Sequence, residues 1–162
     1  MKRRFLLLAL LLLAGFALLP TARAQTAMEP QPELPKEKLT IVTKDGQRHE
    51  FQVEMALTPA QQETGLMFRK VVPADTGMLF DWGVPRETAM WMRNTVSPLD
   101  MIFINEDGSI RRIAENTVPY SLAEIAAGGP VRATLEVAAG TARRLGIHVG
   151  DKVEQRIFAR KT

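Results

Sequence analysis

Leu39-Thr40-Ile41-Val42-Thr43 and Glu50-Phe51-Gln52-Val53-Glu54-Met55, joined through Lys44-Asp45-Gly46-Gln47, decide the fold class of this chain. The first arm is rich in β-branched residues, which favour extended backbone. The Asp-Gly pair in the link supplies a tight turn. The second arm alternates strictly, with Phe51, Val53 and Met55 on one face and Glu50, Gln52 and Glu54 on the other. Two such arms make a β-hairpin with one buried face.

The same grammar continues downstream. Thr58-Pro59-Ala60-Gln61 combines an N-cap threonine, a first-turn proline and a capping-box glutamine, and Gly65 stops the short helix it starts. Met78 to Trp82 reads as a strand, Gly83-Val84-Pro85 as a turn, and Thr88 to Asn94 as the next strand. Leu99 to Ile104 is an apolar strand, turned by Asn105-Glu106-Asp107-Gly108 into Ser109 to Ala114. Ser121 to Ile125 opens like a capped helical turn before Gly128-Gly129-Pro130 breaks it. Val131, Ala133, Leu135 and Val137 alternate against Arg132, Thr134 and Glu136, the pattern of a half-buried strand. Thr141 to Leu145 with Gly146 gives a second short helix, and Val153 to Phe158 a last strand. About eight short strands with two short helices predict a mainly β domain over residues 39–160, a small antiparallel β-sandwich or barrel.

Upstream of the hairpin the composition changes twice. Residues 25–38 place Pro30, Pro32 and Pro35 among polar side chains, a composition expected to form a flexible segment. Residues 1–24 read as a cleavable signal peptide. Met1-Lys2-Arg3-Arg4 is its basic start, Phe5 to Leu19 its apolar run, and Ala22-Arg23-Ala24 its small-residue cleavage pattern. Cleavage after Ala24 predicts a periplasmic or secreted product with no transmembrane span. The full chain carries 21 basic and 18 acidic residues, but four of the basic ones lie in the leader, so residues 25–162 have a net charge of −1. That balance argues against nucleic acid as a partner. With no cysteine there are no disulfides, and stability must come from the core.

Chemistry-bearing residues concentrate between Gly65 and Phe103. Gly65-Leu66-Met67-Phe68-Arg69, Gly77-Met78-Leu79-Phe80, Trp91-Met92-Arg93-Asn94-Thr95 and Pro98-Leu99-Asp100 follow one another in order. Leu135-Glu136-Val137, Gly140 and Gly150-Asp151 come later. This series closely resembles the domain of unknown function 192 family of bacteria and archaea, over Thr40 to Val153. The resemblance implies a compact, mainly β domain, often exported, with no established activity or cofactor.

Read physically, a strand over Thr88 to Asn94 puts Trp91 beside Arg93 on one face and sends Met90 and Met92 to the core. A hairpin with Leu99 to Ile104 then brings Asp100 toward Arg93 or Asn94. Arg69, Trp91, Arg93, Asn94 and Asp100 are therefore the candidate ligand-binding residues: an indole platform, guanidinium clamps, and an amide and carboxylate for hydrogen bonds. The leading functional reading is a non-catalytic binding module for a polar small molecule or envelope saccharide. A second is an envelope-polymer hydrolase or lyase using Asp100 and Arg93, with Glu63 or Asp81 as second carboxylate. A third is a structural or protein-interaction domain of the envelope, docking through its sheet or the Val71 to Gly77 loop. A purely structural origin is equally physical: Arg93 and Asp100 as an ion pair, Trp91 as core filler, Asn94 as a turn residue. Met67, Met78, Met90, Met92 and Met101 have thioethers that suit Cu(I), yet without clustered spacing or His and Cys partners they read as core. His49 and His148 are too isolated to suggest a metal site, so no metal or cofactor is expected.

Overall fold

The structure, a computed structural model, describes residues 29–159; the expected signal peptide lies outside them. The strands are β1 (Lys36–Val42), β2 (Arg48–Ala56), β3 (Thr76–Arg86), β4 (Ala89–Met90), β5 (Leu99–Ile104), β6 (Ile110–Ala114), β7 (Ile125–Ala126), β8 (Val131–Ala138) and β9 (Lys152–Glu154). Two short helices, α1 (Pro59–Thr64) and α2 (Thr141–Leu145), complete the mainly β fold that the patterning predicts. Seven strands form one sheet in the order β6-β5-β8-β3-β2-β1-β9, and β4 and β7 pair separately. The sheet curls into a half-barrel until its edges meet. Ser109 bridges to Lys152, and Ile110 N–H donates to Asp151 O at 2.8 Å. One pairing is parallel: β2 runs beside β3, and α1 makes the crossover that a parallel pair requires.

Curling gives the sheet two apolar faces. Leu39, Ile41, Phe51, Leu79, Ile102 and Leu135 fill the inside, whereas Met78, Phe80, Met92, Met101 and Phe103 form a second cluster outside, under the loops. The central strands are consequently covered on both sides. All six residues of β5 are buried, and so are Thr134 and Glu136 on the polar side of β8.

The hairpin β1–β2 forms as read, with Gly46 at φ +86° in its turn. The capping box of α1 is complete: Gln61 N–H donates to Thr58 Oγ1, and the Gln61 side chain accepts from Thr58 N–H at 3.0 Å. Several boundaries differ, each for a local reason. Strand β1 starts at Lys36, and the proline-rich stretch before it packs against the domain. Gln31 is buried and donates to Gly65 O at 2.8 Å, while Leu34 N–H donates to Glu54 Oε2 at 2.8 Å. Hydrogen bonds, together with Leu34 packed against the second apolar cluster, fix it there. The expected strand over Thr88 to Asn94 shrinks to Ala89–Met90, because Thr95 N–H turns back to Met92 O and Asn94 adopts φ +56°. The helical turn expected at Ser121 is absent; Ile125–Ala126 instead pairs with β4. Gly83-Val84-Pro85 lies within β3, at an irregularity in its pairing with β8 between Asp81 and Arg86. The last expected strand ends at Glu154 and continues as a 3-10 turn over Arg156–Phe158.

Candidate functional site

Beside the irregularity in the pairing of β3 with β8, between Asp81 and Arg86, a cavity of about 380 Å³ lies among the end of β3, α1 and β4. Trp82 and Trp91, the only tryptophans in the chain, both line it, together with Leu66, Met67 and Met90. Trp82 is fixed by stacking on Phe80 and by donating from Nε1 to Thr134 Oγ1 at 3.2 Å. Phe68 N–H donates to Asn94 O at 2.9 Å, and Ser97 Oγ donates to Arg69 O at 3.0 Å, so the two covering loops hold each other. Two glycines permit the close approach beneath them. A Cβ at Gly65, which adopts φ +49°, would press the Phe80 ring, and a Cβ at Gly77 would overlap the carbonyl of Glu136.

Glu136 also lines this cavity. Its neighbours across the sheet are Met78 and Met101, both fully buried. Among the described residues no group donates a hydrogen bond to its carboxyl and no cation pairs with it. Burial alone pushes its pKa up to about 8, so at neutral pH it is mostly a protonated acid. The other polar side chains of the cavity are largely committed. Gln62 Nε2 donates to Asp81 O at 2.8 Å, Thr64 Oγ1 to Ala60 O at 3.1 Å, and Thr95 Oγ1 to Arg93 O at 3.2 Å. The guanidinium of Arg86 lies 4.5 Å from the Trp82 ring centre and that of Arg93 4.3 Å from the Trp91 ring centre.

The five candidate residues separate. Trp91 lines the cavity and Arg93 stacks on it, although both lie beyond the end of β4, and Arg93 Nη2 is also 3.8 Å from Glu63. Asn94 serves the loop, its carbonyl accepting from Phe68 and its amide reaching Met67 Sδ at 3.9 Å. Arg69 points elsewhere, pairing with Glu54 at 3.0 Å in a largely buried ion pair. Asp100 does not meet Arg93, because β5 pairs with β6 and β8 rather than with β4. It is fully buried and accepts backbone N–H bonds from Asn116 and Gly140 on Oδ1 and from Ala142 on Oδ2, at 2.9–3.1 Å. It therefore caps α2 and cannot serve as the acid or base of a hydrolase. Asp81, a candidate second carboxylate, pairs with Arg132. Met78, Met92 and Met101 are core residues, and the described residues contain no group of three or more His, Cys, Asp or Glu positioned for a metal. No described helix is long and apolar enough to cross a membrane.

Arg69→Ala leaves Glu54 charged, buried and short of a partner. A loss of about 3 kcal/mol in urea unfolding is expected, with part of it recovered in the Glu54→Gln, Arg69→Met double variant.

A larger groove of about 740 Å³ lies by Asp107, Lys152 and Phe158, but its cations are paired within the fold, Lys152 with Asp107 at 2.7 Å and Arg132 with Asp81, and its remaining acid, Glu106, is exposed to solvent. The cavity at Glu136 is distinguished by an acid that nothing in the fold satisfies.

Compared with known proteins, residues 40–155 match the family model DUF192, described as Uncharacterized ACR. No curated protein matches. A crystal structure from Sinorhizobium meliloti 1021, carrying a provisional label as a transcription regulator, is 46% identical, with 78% of this chain and 98% of that chain covered and a TM-score of 0.76. A protein of unknown function from Novosphingobium aromaticivorans DSM 12444 is 44% identical, with coverage of 79% and 91% and a TM-score of 0.74.

Proposed function

The chain belongs to the domain of unknown function 192 family, and from that premise we propose that it is an exported, non-catalytic binding module that takes a small ligand into the cavity beside Glu136. The observation that carries the reading is Glu136 itself. Buried polar groups are almost always hydrogen-bonded, and a lone buried carboxyl beside an open cavity is a group waiting for a donor. The indole of Trp91, 42% exposed, adds the apolar platform that an amphipathic ligand needs. Export rests on the basic and apolar pattern of residues 1–24.

Because both tryptophans line the cavity, intrinsic fluorescence reports occupancy directly. Titration with muropeptide fragments, oligosaccharides, small carboxylates and small amines is expected to give a saturable change with at least one class, lost in Trp91→Ala. Silence across all four classes would remove the binding reading. An acid–base enzyme is the second reading, favoured by Glu63 standing on the same cavity as Glu136. It requires turnover of a polymer or small substrate that Glu136→Gln abolishes.

A further inference from the structure

Resting on the cavity as a binding site, we propose that its ligand presents a protonated amine to Glu136, with an apolar stem between Trp82 and Trp91. The fold itself shows what Glu136 lacks. Two other buried acids are satisfied by backbone: Asp100 accepts three N–H groups, and Asp151 accepts from Lys44 at 3.0 Å and His148 at 2.7 Å. Glu136 accepts none among the described residues, and its flanking neighbours Met78 and Met101 cannot supply one.

The missing donor must come from the cavity side, and the rest of the lining selects its chemistry. A saccharide needs several free polar partners, whereas Gln62, Thr64 and Thr95 already donate to protein carbonyls. An anionic ligand would bring no opposite charge to Glu136 and could only accept from its protonated form, and the one lining guanidinium, that of Arg86, is turned onto the Trp82 ring. Both indole faces are receptive to cations, as the guanidiniums of Arg86 and Arg93 stacked on them demonstrate. Those two cations stay on their rings, which leaves the carboxyl unpaired. An ammonium supplies both the hydrogen bonds and the opposite charge that a desolvated carboxylate requires. A volume of about 380 Å³ suits a small molecule rather than a polymer strand. On binding near pH 7 the carboxylic acid releases its proton to solvent, and the resulting carboxylate pairs with the ammonium.

Two matched probe pairs test this: phenethylamine against 2-phenylethanol, and n-butylamine against 1-butanol. Tryptophan fluorescence gives affinities, and calorimetry at pH 7 in two buffers of different ionisation enthalpy counts protons. The expected result is amine binding at least tenfold tighter than its alcohol, release of close to one proton per amine bound, and loss of the preference in Glu136→Gln, which still takes the alcohol. Equal affinities within each pair, or a preference that survives Glu136→Gln, would overturn the amine assignment and leave the binding site standing. A wild-type protein that binds amines without releasing a proton would show Glu136 already ionised in the free protein and would overturn the proton-release step. If neither pair binds, the amine assignment fails, and the binding reading fails with it only when the wider ligand panel is also silent.

Discussion

Asp100→Ala is expected to destabilise the protein by about 4 kcal/mol while leaving ligand binding by the folded fraction intact. The carboxylate is fully buried and gathers N–H groups from three separate places: Asn116 after β6, and Gly140 and Ala142 at the start of α2. Truncation strands all three, and each unsatisfied buried donor costs about 1–3 kcal/mol, less where water enters the space vacated. Asp100→Asn keeps the shape but turns an amide N–H toward at least one of the same donors, so a smaller loss of about 2–3 kcal/mol is expected. Urea unfolding of the two variants measures both values. Such losses are a large part of the roughly 5–15 kcal/mol that holds a domain together. Near-wild-type stability in Asp100→Ala would mean that the carboxylate does not anchor α2.

Glu136→Gln is expected to do the opposite. Burial raises the folded-state pKa of Glu136 to about 8 from an ordinary value of 4.5. Between those values the folded protein holds a proton that the unfolded chain has released. Stability is therefore full below about pH 4.5, declines as pH rises, and has lost the whole contribution once pH passes 8. The span corresponds to a ceiling of roughly 4–5 kcal/mol. Glutamine cannot titrate, so the variant's stability should stay flatter over the same range and exceed that of the wild type at pH 9 by about 2–4 kcal/mol. A residue whose removal stabilises the fold but abolishes ligand preference is the signature of a group kept for function. Parallel unfolding curves for the two proteins from pH 5 to 9 would contradict it.

Much of the fold is legible in the sequence because local chemistry writes it. The Asp45-Gly46 turn, the Thr58 and Gln61 capping box and Gly146 after α2 act within a few residues, and each forms as read. The parallel pairing of β2 with β3 and the junction of β6 with β9 depend on contacts far apart in sequence, and no local signal announces them. The Thr88 to Asn94 segment departs from its alternation because a left-handed Asn94 and a bond from Met92 N–H to Ser121 O outweigh strand propensity.

The site divides along the same line. Trp91 and Arg93 do meet, but by stacking in the turn beyond β4 and not through strand alternation. Proximity in sequence places Asp100 near the cluster, whereas strand order carries it inward to α2. The buried position of Glu136 is not legible in the sequence, because an acid alternating with Leu135 and Val137 reads as a solvent-facing residue on a one-sided strand. Only the second apolar layer of Met78, Phe80, Met92 and Met101 converts that face into an interior, and its existence is a property of the closed fold. Glu136 lies in the Leu135-Glu136-Val137 segment that carried the family resemblance, the one place where the sequence marked it.

The most direct measurement is the titration of the Glu136 side-chain carboxyl by carbon-13 NMR, assigned with Glu136→Gln. A midpoint near 8 that falls when phenethylamine is added is the expected result. A midpoint of about 4 to 5, unmoved by amine, would show a solvated or internally paired carboxylate and contradict the account.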